Sequence, residues 1–203
     1  MISIITGDII KSRKSKTTEW LEDFKSFLSH FGKNPTDWEI YRGDEFQLEI
    51  KNPEEAFITA VLIKAYLKSI HLDARLSIGI GEKNYKAKKI SESNGSAFIN
   101  SGETFETLKK QKITLAIQSD NKTFNEQMNL VFRLALTFID SWLLQSAEFV
   151  IVALQNPKAS QEELGGKLKI NQAAVSRRRK RAQFELLLDL NEFYKKQLKL
   201  LSL

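Results

Sequence analysis

The chain has 203 residues, 42% of them apolar, with thirteen Phe and no Cys, which gives enough material for one large domain or two small ones and excludes wholesale disorder, disulfides, thiolate metal sites and cysteine nucleophiles. The net charge of +6 is unevenly placed: residues 141–203 hold eleven Lys and Arg against six Asp and Glu, and residues 1–140 hold twenty against nineteen. A near-neutral body with a basic segment behind it is the distribution expected where that segment meets a polyanion.

The opening MISIITGDII has no basic n-region and no long apolar core, so it does not read as a secretion signal. No stretch approaches the roughly 18 uncharged apolar residues of a membrane span. A cytoplasmic protein without membrane contact is expected. Residues 2–5 (ISII) read as a buried strand that Asp8 ends. In residues 17–31 the apolar positions Trp20, Leu21, Phe24, Phe27, Leu28 and Phe31 recur at helical spacing, with Thr17 or Thr18 as cap. Residues 38–42 and 45–50 read as two short strands joined by the Gly43-Asp44 turn. Asn52 as N-cap and Pro53 in the first turn open a second helix over 52–70, and a glycine-closed strand follows at 74–81.

Strand, helix, strand, strand, helix, strand is the ferredoxin-like βαββαβ pattern, whose sheet is expected to carry helices on one face only. A polar region over 82–110 predicts a loop and a helix near 95–110, and residues 113–118 (ITLAIQ) one more strand. Residues 125–154 are too long and too apolar for one exposed helix and read as two, the first bridging two domains. Ser160 caps a short helix with Glu163 in the capping-box position. Ile170-Asn171 makes a turn, a helix starts near Gln172, and residues 186–203 read as an amphipathic tail helix. The expected class is α+β: an α/β domain over 1–122, a connecting helix over 123–145 and an all-helical domain over 146–203.

Asp8, Asp44 and Glu45 should lie near one another, because the first strand of such a unit pairs beside the hairpin. Crowded carboxylates repel unless a cation sits between them, and hard oxygen ligands suit Mg²⁺ or Mn²⁺, which in turn can grip a triphosphate. Each acid alone is also a common turn or cap residue. Gln47, on a strand beside the acids, could contact a ligand or simply face solvent. Lys11, Arg13, Lys14 and Lys16 follow Asp8 and could meet phosphate oxygens or remain a solvated charge run.

RGDEF (42–46) followed by SIGIG (77–81) resembles the GGDEF diguanylate cyclase domain, a relative of nucleotidyl cyclases and polymerase palm domains. The resemblance implies a palm fold in which Asp8 is the first-strand metal ligand, Asp44 and Glu45 fill the third and fourth hairpin positions, and the backbone at Ile9 and Ile10 lies near the phosphates. Arg42 replaces the first glycine of the motif, next to the nucleotide position, where a large side chain would rewrite base recognition. The 91–105 segment lacks the basic residues with which cyclases hold a triphosphate. TGDIIKSRK, GDEFQ some thirty-five residues on, SIGIG, GSAFINS and a C-terminal helix-turn-helix together resemble the bacterial SatD family over nearly the whole chain.

Residues 160–182 have helix-turn-helix spacing. Leu164 and Leu168 face inward on the first helix, and Val175 packs back from the second. Side chains from Asn171 onward would enter a major groove. Gln172, Ala173, Ser176 and Arg177 are the candidates for base edges. Arg178, Arg179, Lys180 and Arg181 are assigned to phosphates, since five consecutive basic residues cannot share one helix face. The pattern resembles the EELA…VS motif of many bacterial regulators, with Gly165-Gly166 in place of the alanine-containing pair. Two helical glycines cost about 1–2 kcal/mol, so one is expected to permit close backbone packing. The tail helix could complete a tri-helical core or make a homodimer. The function expected is a DNA-binding transcriptional regulator whose palm-like domain senses a nucleotide or metal-nucleotide. The alternatives are a metal-dependent nucleotidyl cyclase or nucleotidyltransferase acting on nucleoside triphosphates, and a scaffold with a protein-docking tail.

Overall fold

In the computed structural model, which describes residues 1–10, 17–41 and 43–201, the first strand runs further than its apolar start requires. β1 spans Ile2–Ile10, so Asp8 sits inside the strand rather than at its end, in register with a residue on either side. β2 (Trp38–Tyr41), β3 (Glu45–Ile50), β4 (Asp73–Gly81) and β5 (Leu115–Gln118) complete one mixed sheet in the order β2-β3-β1-β4-β5. The first four strands are antiparallel neighbours and β5 lies parallel to β4. Eight α-helices accompany them among the described residues: α1 (Thr17–Leu28), α2 (Ala56–Ser69), α3 (Ser96–Gln111), α4 (Lys122–Ile139), α5 (Leu144–Gln155), α6 (Gln161–Leu168), α7 (Gln172–Arg181) and α8 (Phe184–Leu201). The fold is α+β.

The hairpin and caps follow local chemistry. Gly43 adopts φ +86° with open space where a Cβ would stand, so backbone conformation rather than crowding requires glycine there. The Asn52 side chain accepts from the Glu54 N–H ahead of a 3-10 turn at Pro53–Glu55 that leads into α2.

Strand parity divides the sheet into two unlike faces. Ile5 and Ile9 of β1 point into the main core with Phe46, Leu48, Leu76, Ile78 and Ile117. α1 and α2 close this side, with Phe24 edge-on to Phe46 at 5.2 Å and Phe27 stacked on Tyr66 at 4.2 Å. The opposite parity carries Ile4, Thr6 and Asp8 on β1 and Arg75, Ser77 and Gly79 on β4. The expectation of helices on one face only is corrected here, because α3 lies on this second face. A Cβ on Gly79 would stand 2.1 Å from the Ala97 carbonyl oxygen and 2.3 Å from the Ser101 nitrogen, so glycine lets the α3 backbone rest directly on β4. Ser77 Oγ donates to the Ser101 carbonyl at 2.8 Å and Asn100 Nδ2 to that of Ile80 at 2.8 Å, while Ile4 packs with Ala97 and Phe98.

β5 is an edge strand, and its outer side is sealed by side-chain amides. Asn125 and Asn129, one turn apart on α4, each pair with both polar groups of a single β5-side residue. Asn129 takes the N–H and C=O of Ile117 (2.9 and 2.8 Å), and Asn125 those of Ser119 (2.8 and 2.7 Å). Two asparagines therefore take the place of a sixth strand at Ile117 and Ser119.

The main core continues from the sheet through α2 into the helices beyond it. Phe57 of α2, Phe132 of α4 and Tyr194 of α8 form an aromatic group, with Phe57 and Phe132 stacked at 4.9 Å. Tyr194 Oη donates to the Pro53 carbonyl at 2.7 Å. Trp142 Nε1, in the link between α4 and α5, donates to the Ala182 carbonyl at 3.1 Å. No helix among the described residues is long and apolar enough to cross a membrane.

Candidate functional site

Two places concentrate the residues singled out by the sequence. The first is the polar sheet face. Asp8 and Glu45 are cross-strand partners, Gln47 stands opposite Thr6, and Glu39 opposite Gln47. Asp44 belongs to the turn, and its carbonyl accepts the Ile9 N–H at 3.0 Å. That N–H is thus part of the sheet, and the Ile9 side chain lies in the apolar core. Ile10 is in register with Asp73. Lys11, Arg13, Lys14, Lys16 and Arg42 fall outside the described residues.

Sequence reasoning missed the partner of Asp8. Arg75, its register neighbour on β4, grips the carboxylate with two hydrogen bonds, Nε to Oδ1 at 2.8 Å and Nη2 to Oδ2. Lys109 of α3 stands 3.8 Å from Oδ2. Asp8 is only 4% exposed. A buried carboxylate needs such a fork. The bonds to Asp8 push the Arg75 guanidinium up from its usual value against the opposing effect of burial. The legible signal was parity: Arg75 shares its face with Ser77 and Gly79, as Asp8 does with Thr6.

A divalent ion at Asp8 would meet a carboxylate that is already engaged. Both oxygens of Asp8 are held by Arg75, and among the described residues no group of three or more Asp, Glu or His is placed to hold a metal. An ion at Asp8 would have to take those oxygens from the guanidinium.

The second place is α5–α6–α7. The capping box forms in full: Ser160 Oγ accepts from the Glu163 N–H at 3.2 Å, and Glu163 Oε2 from the Ser160 N–H at 2.7 Å. These bonds hold the Glu163 carboxyl below the usual range. Asn171 caps α7 by accepting from the Ala174 N–H at 2.9 Å. Of the two glycines, Gly165 is the packing one. A Cβ there would stand 2.7 Å from the Ile170 carbonyl oxygen and 3.4 Å from Val175, whereas Gly166 faces open space. Leu164 and Val175 are buried in the helical part of the core.

The five consecutive basic residues separate by direction. Arg178 turns to α5, where Nη1 meets Glu148 at 2.9 Å. Arg179 forks onto Glu185, holds that carboxyl below its usual range and lies over the Phe184 ring at 5.4 Å. Arg178 and Arg179, assigned to phosphates from the sequence, hold internal ion pairs in this structure. Arg177, Lys180 and Arg181 are exposed and make no ion pair among the described residues. Asn171, Gln172, Ala173 and Ser176 are exposed as well. Lys167 and Lys169, which the reading did not single out, are exposed beside the turn that leads into α7.

A third cluster joins the two regions. Lys64 of α2 is fully buried and reaches Asp73 at 2.8 Å, Asp140 at 3.0 Å and the Ala74 carbonyl at 3.0 Å. Lys68 holds Asp73 at 2.8 Å and the Asp140 carbonyl at 2.9 Å, and Thr114 Oγ1 donates to the Asp140 carboxylate. Burial works against the Asp73 charge, but Lys64 and Lys68 outweigh it and hold that carboxyl below the usual aspartate range. Asp140 lies at the end of α4, so the cluster fixes the start of the helical part to α2 and β4. No protein-family model, curated protein or solved structure matches this chain.

Proposed function

We propose that this chain is a DNA-binding regulator that reads duplex DNA with α7, and that its α/β part, ferredoxin-like or palm-like in strand order, senses a nucleotide at the polar sheet face. One observation carries the first half. Gln172, Ala173, Ser176, Arg177 and Lys180 are all exposed and follow at i, i+1, i+4, i+5 and i+8, so they share one side of α7. The other side, through Val175, packs on the helices beneath. Glutamine offers a bidentate pair to adenine, arginine one to guanine, and alanine a contact for the thymine methyl. Lys167, Lys169 and Arg181 border this face and would meet phosphates, which position the helix without carrying sequence information.

The second half rests on the Asp8–Arg75 fork with Lys109 beside it. A phosphate competing with Asp8 for Arg75 would open the fork. Two residues earlier on β4, Asp73 is tied through Lys64 and Lys68 to Asp140, and α5, which follows, packs against α7. This is the physical connection between the two regions. The enzymatic alternative, metal-dependent nucleotidyl transfer, needs Mg²⁺ or Mn²⁺ to displace Arg75 from Asp8.

The test is fluorescence anisotropy of the full chain with duplexes selected from a random pool, at several salt concentrations. Arg177→Ala combined with Lys180→Ala should lower affinity about 10- to 100-fold, and Lys167→Ala with Lys169→Ala should flatten the salt dependence by about one unit per lost phosphate contact. Failure to bind any duplex at low salt, or an Arg177→Ala, Lys180→Ala chain that binds as the wild type does, would sink the DNA reading. Titration of ATP and GTP into the preformed complex then tests the sensing half, and DNA affinity unchanged at saturation would remove it.

A further inference from the structure

α8 carries an apolar stripe that the fold does not cover. Its inward residues are Phe184, Leu187, Asn191, Tyr194 and Leu198, all buried. A second series, Leu186, Leu190, Phe193, Gln197 and Leu200, runs along the flank at alternating spacings of four and three residues. That alternation averages 3.5 residues, the repeat of a coiled-coil seam. Leu186 is 46% exposed, Phe193 39% and Leu200 62%, while Leu190 half-packs on the core at the stripe's inner edge. Leu186, Phe193 and Leu200 thus leave an exposed apolar line along four turns of α8, the kind of surface that marks an interaction site.

Charge identifies the partner. The first half of α8 holds Glu185, Asp189 and Glu192 and the second half Lys195, Lys196 and Lys199. Glu185, Glu192, Lys195 and Lys199 have ion-pair partners within the chain. Asp189 and Lys196, one heptad apart on the outer border of the stripe, make no ion pair among the described residues; Lys196 only helps Lys195, the direct partner, hold the Glu192 carboxyl low. A second α8 running antiparallel would set Asp189 against Lys196 of that copy and Lys196 against its Asp189. A parallel copy would leave both unmatched.

We propose that α8 joins two copies of this chain in an antiparallel, two-fold dimer, with Leu186, Leu190, Phe193 and Leu200 in the seam and reciprocal Asp189–Lys196 pairs beside it. The seam is self-complementary, as a two-fold interface must be. Gln197, the one polar residue in the stripe, fixes the register at some cost in stability. The dimer does not depend on the DNA reading, and its test contains no DNA, so the two fail separately.

Sedimentation equilibrium of the full chain over a wide concentration range should show a monomer–dimer equilibrium. Leu186→Glu with Phe193→Glu should raise the dissociation constant about 100-fold or more, with helix content by circular dichroism unchanged. Asp189→Lys or Lys196→Asp alone should weaken the dimer about three- to tenfold, and the two together should restore it. A wild-type chain monomeric at every concentration would overturn the proposal and assign the stripe to a different protein. A dimer indifferent to the stripe variants, or a double charge swap that fails to restore association, would overturn it as well.

Discussion

The charges held against the sheet and the charges displayed on α7 are handled in opposite ways. Asp8 gives both oxygens to Arg75, and Lys64 reaches two aspartates and a carbonyl while wholly removed from solvent. On α7 the two arginines that could fold back do so, onto Glu148 and Glu185, and Arg177, Lys180 and Arg181 remain exposed on the outer side. The same residue types are structural in one place and available in the other. Direction decides between them: a charge turned into the fold must be matched there, since leaving it unmatched costs several kcal/mol, and a charge left in water costs almost nothing to keep for an outside partner.

The largest effect that would break this contrast is at Lys64. Lys64→Met keeps the buried stem and removes the charge, which strands Asp140 with Thr114 and leaves Asp73 with Lys68 and the Ala74 N–H. Urea unfolding at neutral pH should show a loss of about 3–5 kcal/mol. A loss under about 1 kcal/mol would mean that the cluster is not what holds α4 to α2 and β4.

A smaller effect follows from pH. The folded Asp73 carboxyl titrates below its usual range, with burial opposing and Lys64 and Lys68 prevailing, so it binds its proton less readily folded than unfolded. Its contribution to stability is complete above the unfolded-state pKa and is lost as the pH falls through the folded-state value. Stability followed from about pH 5 down to about pH 2 should decline, and Asp73→Asn should flatten part of that decline. An Asp73→Asn chain with the same acid profile as wild type would contradict the assignment.

Much of this arrangement was legible, and what was not has a common cause. The α1 stripe, the Asn52–Pro53 opening, the Gly43 turn and the Ser160–Glu163 box are local, set by residues within one or two turns of each other, and all of them appear where the spacing puts them. Arg75 is sixty-seven residues from Asp8, and only the β1–β4 register brings them together. Lys64 in AVLIKAYLKS reads as a solvent-facing lysine until Asp73 and Asp140 converge on it from other elements. Gly79 lies inside the strand that Gly81 closes, yet it is the seat for α3: the helix near 95–110 is legible, but nothing near Gly79 in sequence says that this helix lands on its face of the sheet. Asn125 and Asn129 read as polar residues on an amphipathic helix, and their role appears only when β5 proves to be an edge.

The smallest expected effect is the one that most sharpens the contrast. If the α7 face exists for an outside partner, removing its charges should leave the fold untouched. Arg177→Ala with Lys180→Ala should shift unfolding by no more than about 0.5 kcal/mol, the usual range for surface positions without internal partners. Arg178→Ala, which breaks the tie to Glu148 on α5, should cost about 1 kcal/mol by the same measurement, since its side chain is only 18% exposed. Neighbouring arginines of one basic run would then differ in stability cost by direction alone. Were the double variant the more destabilised of the two, the exposed residues would be supporting the helix rather than waiting on a partner, and the sorting of this run into structural and available charges would fail at the place where it is clearest.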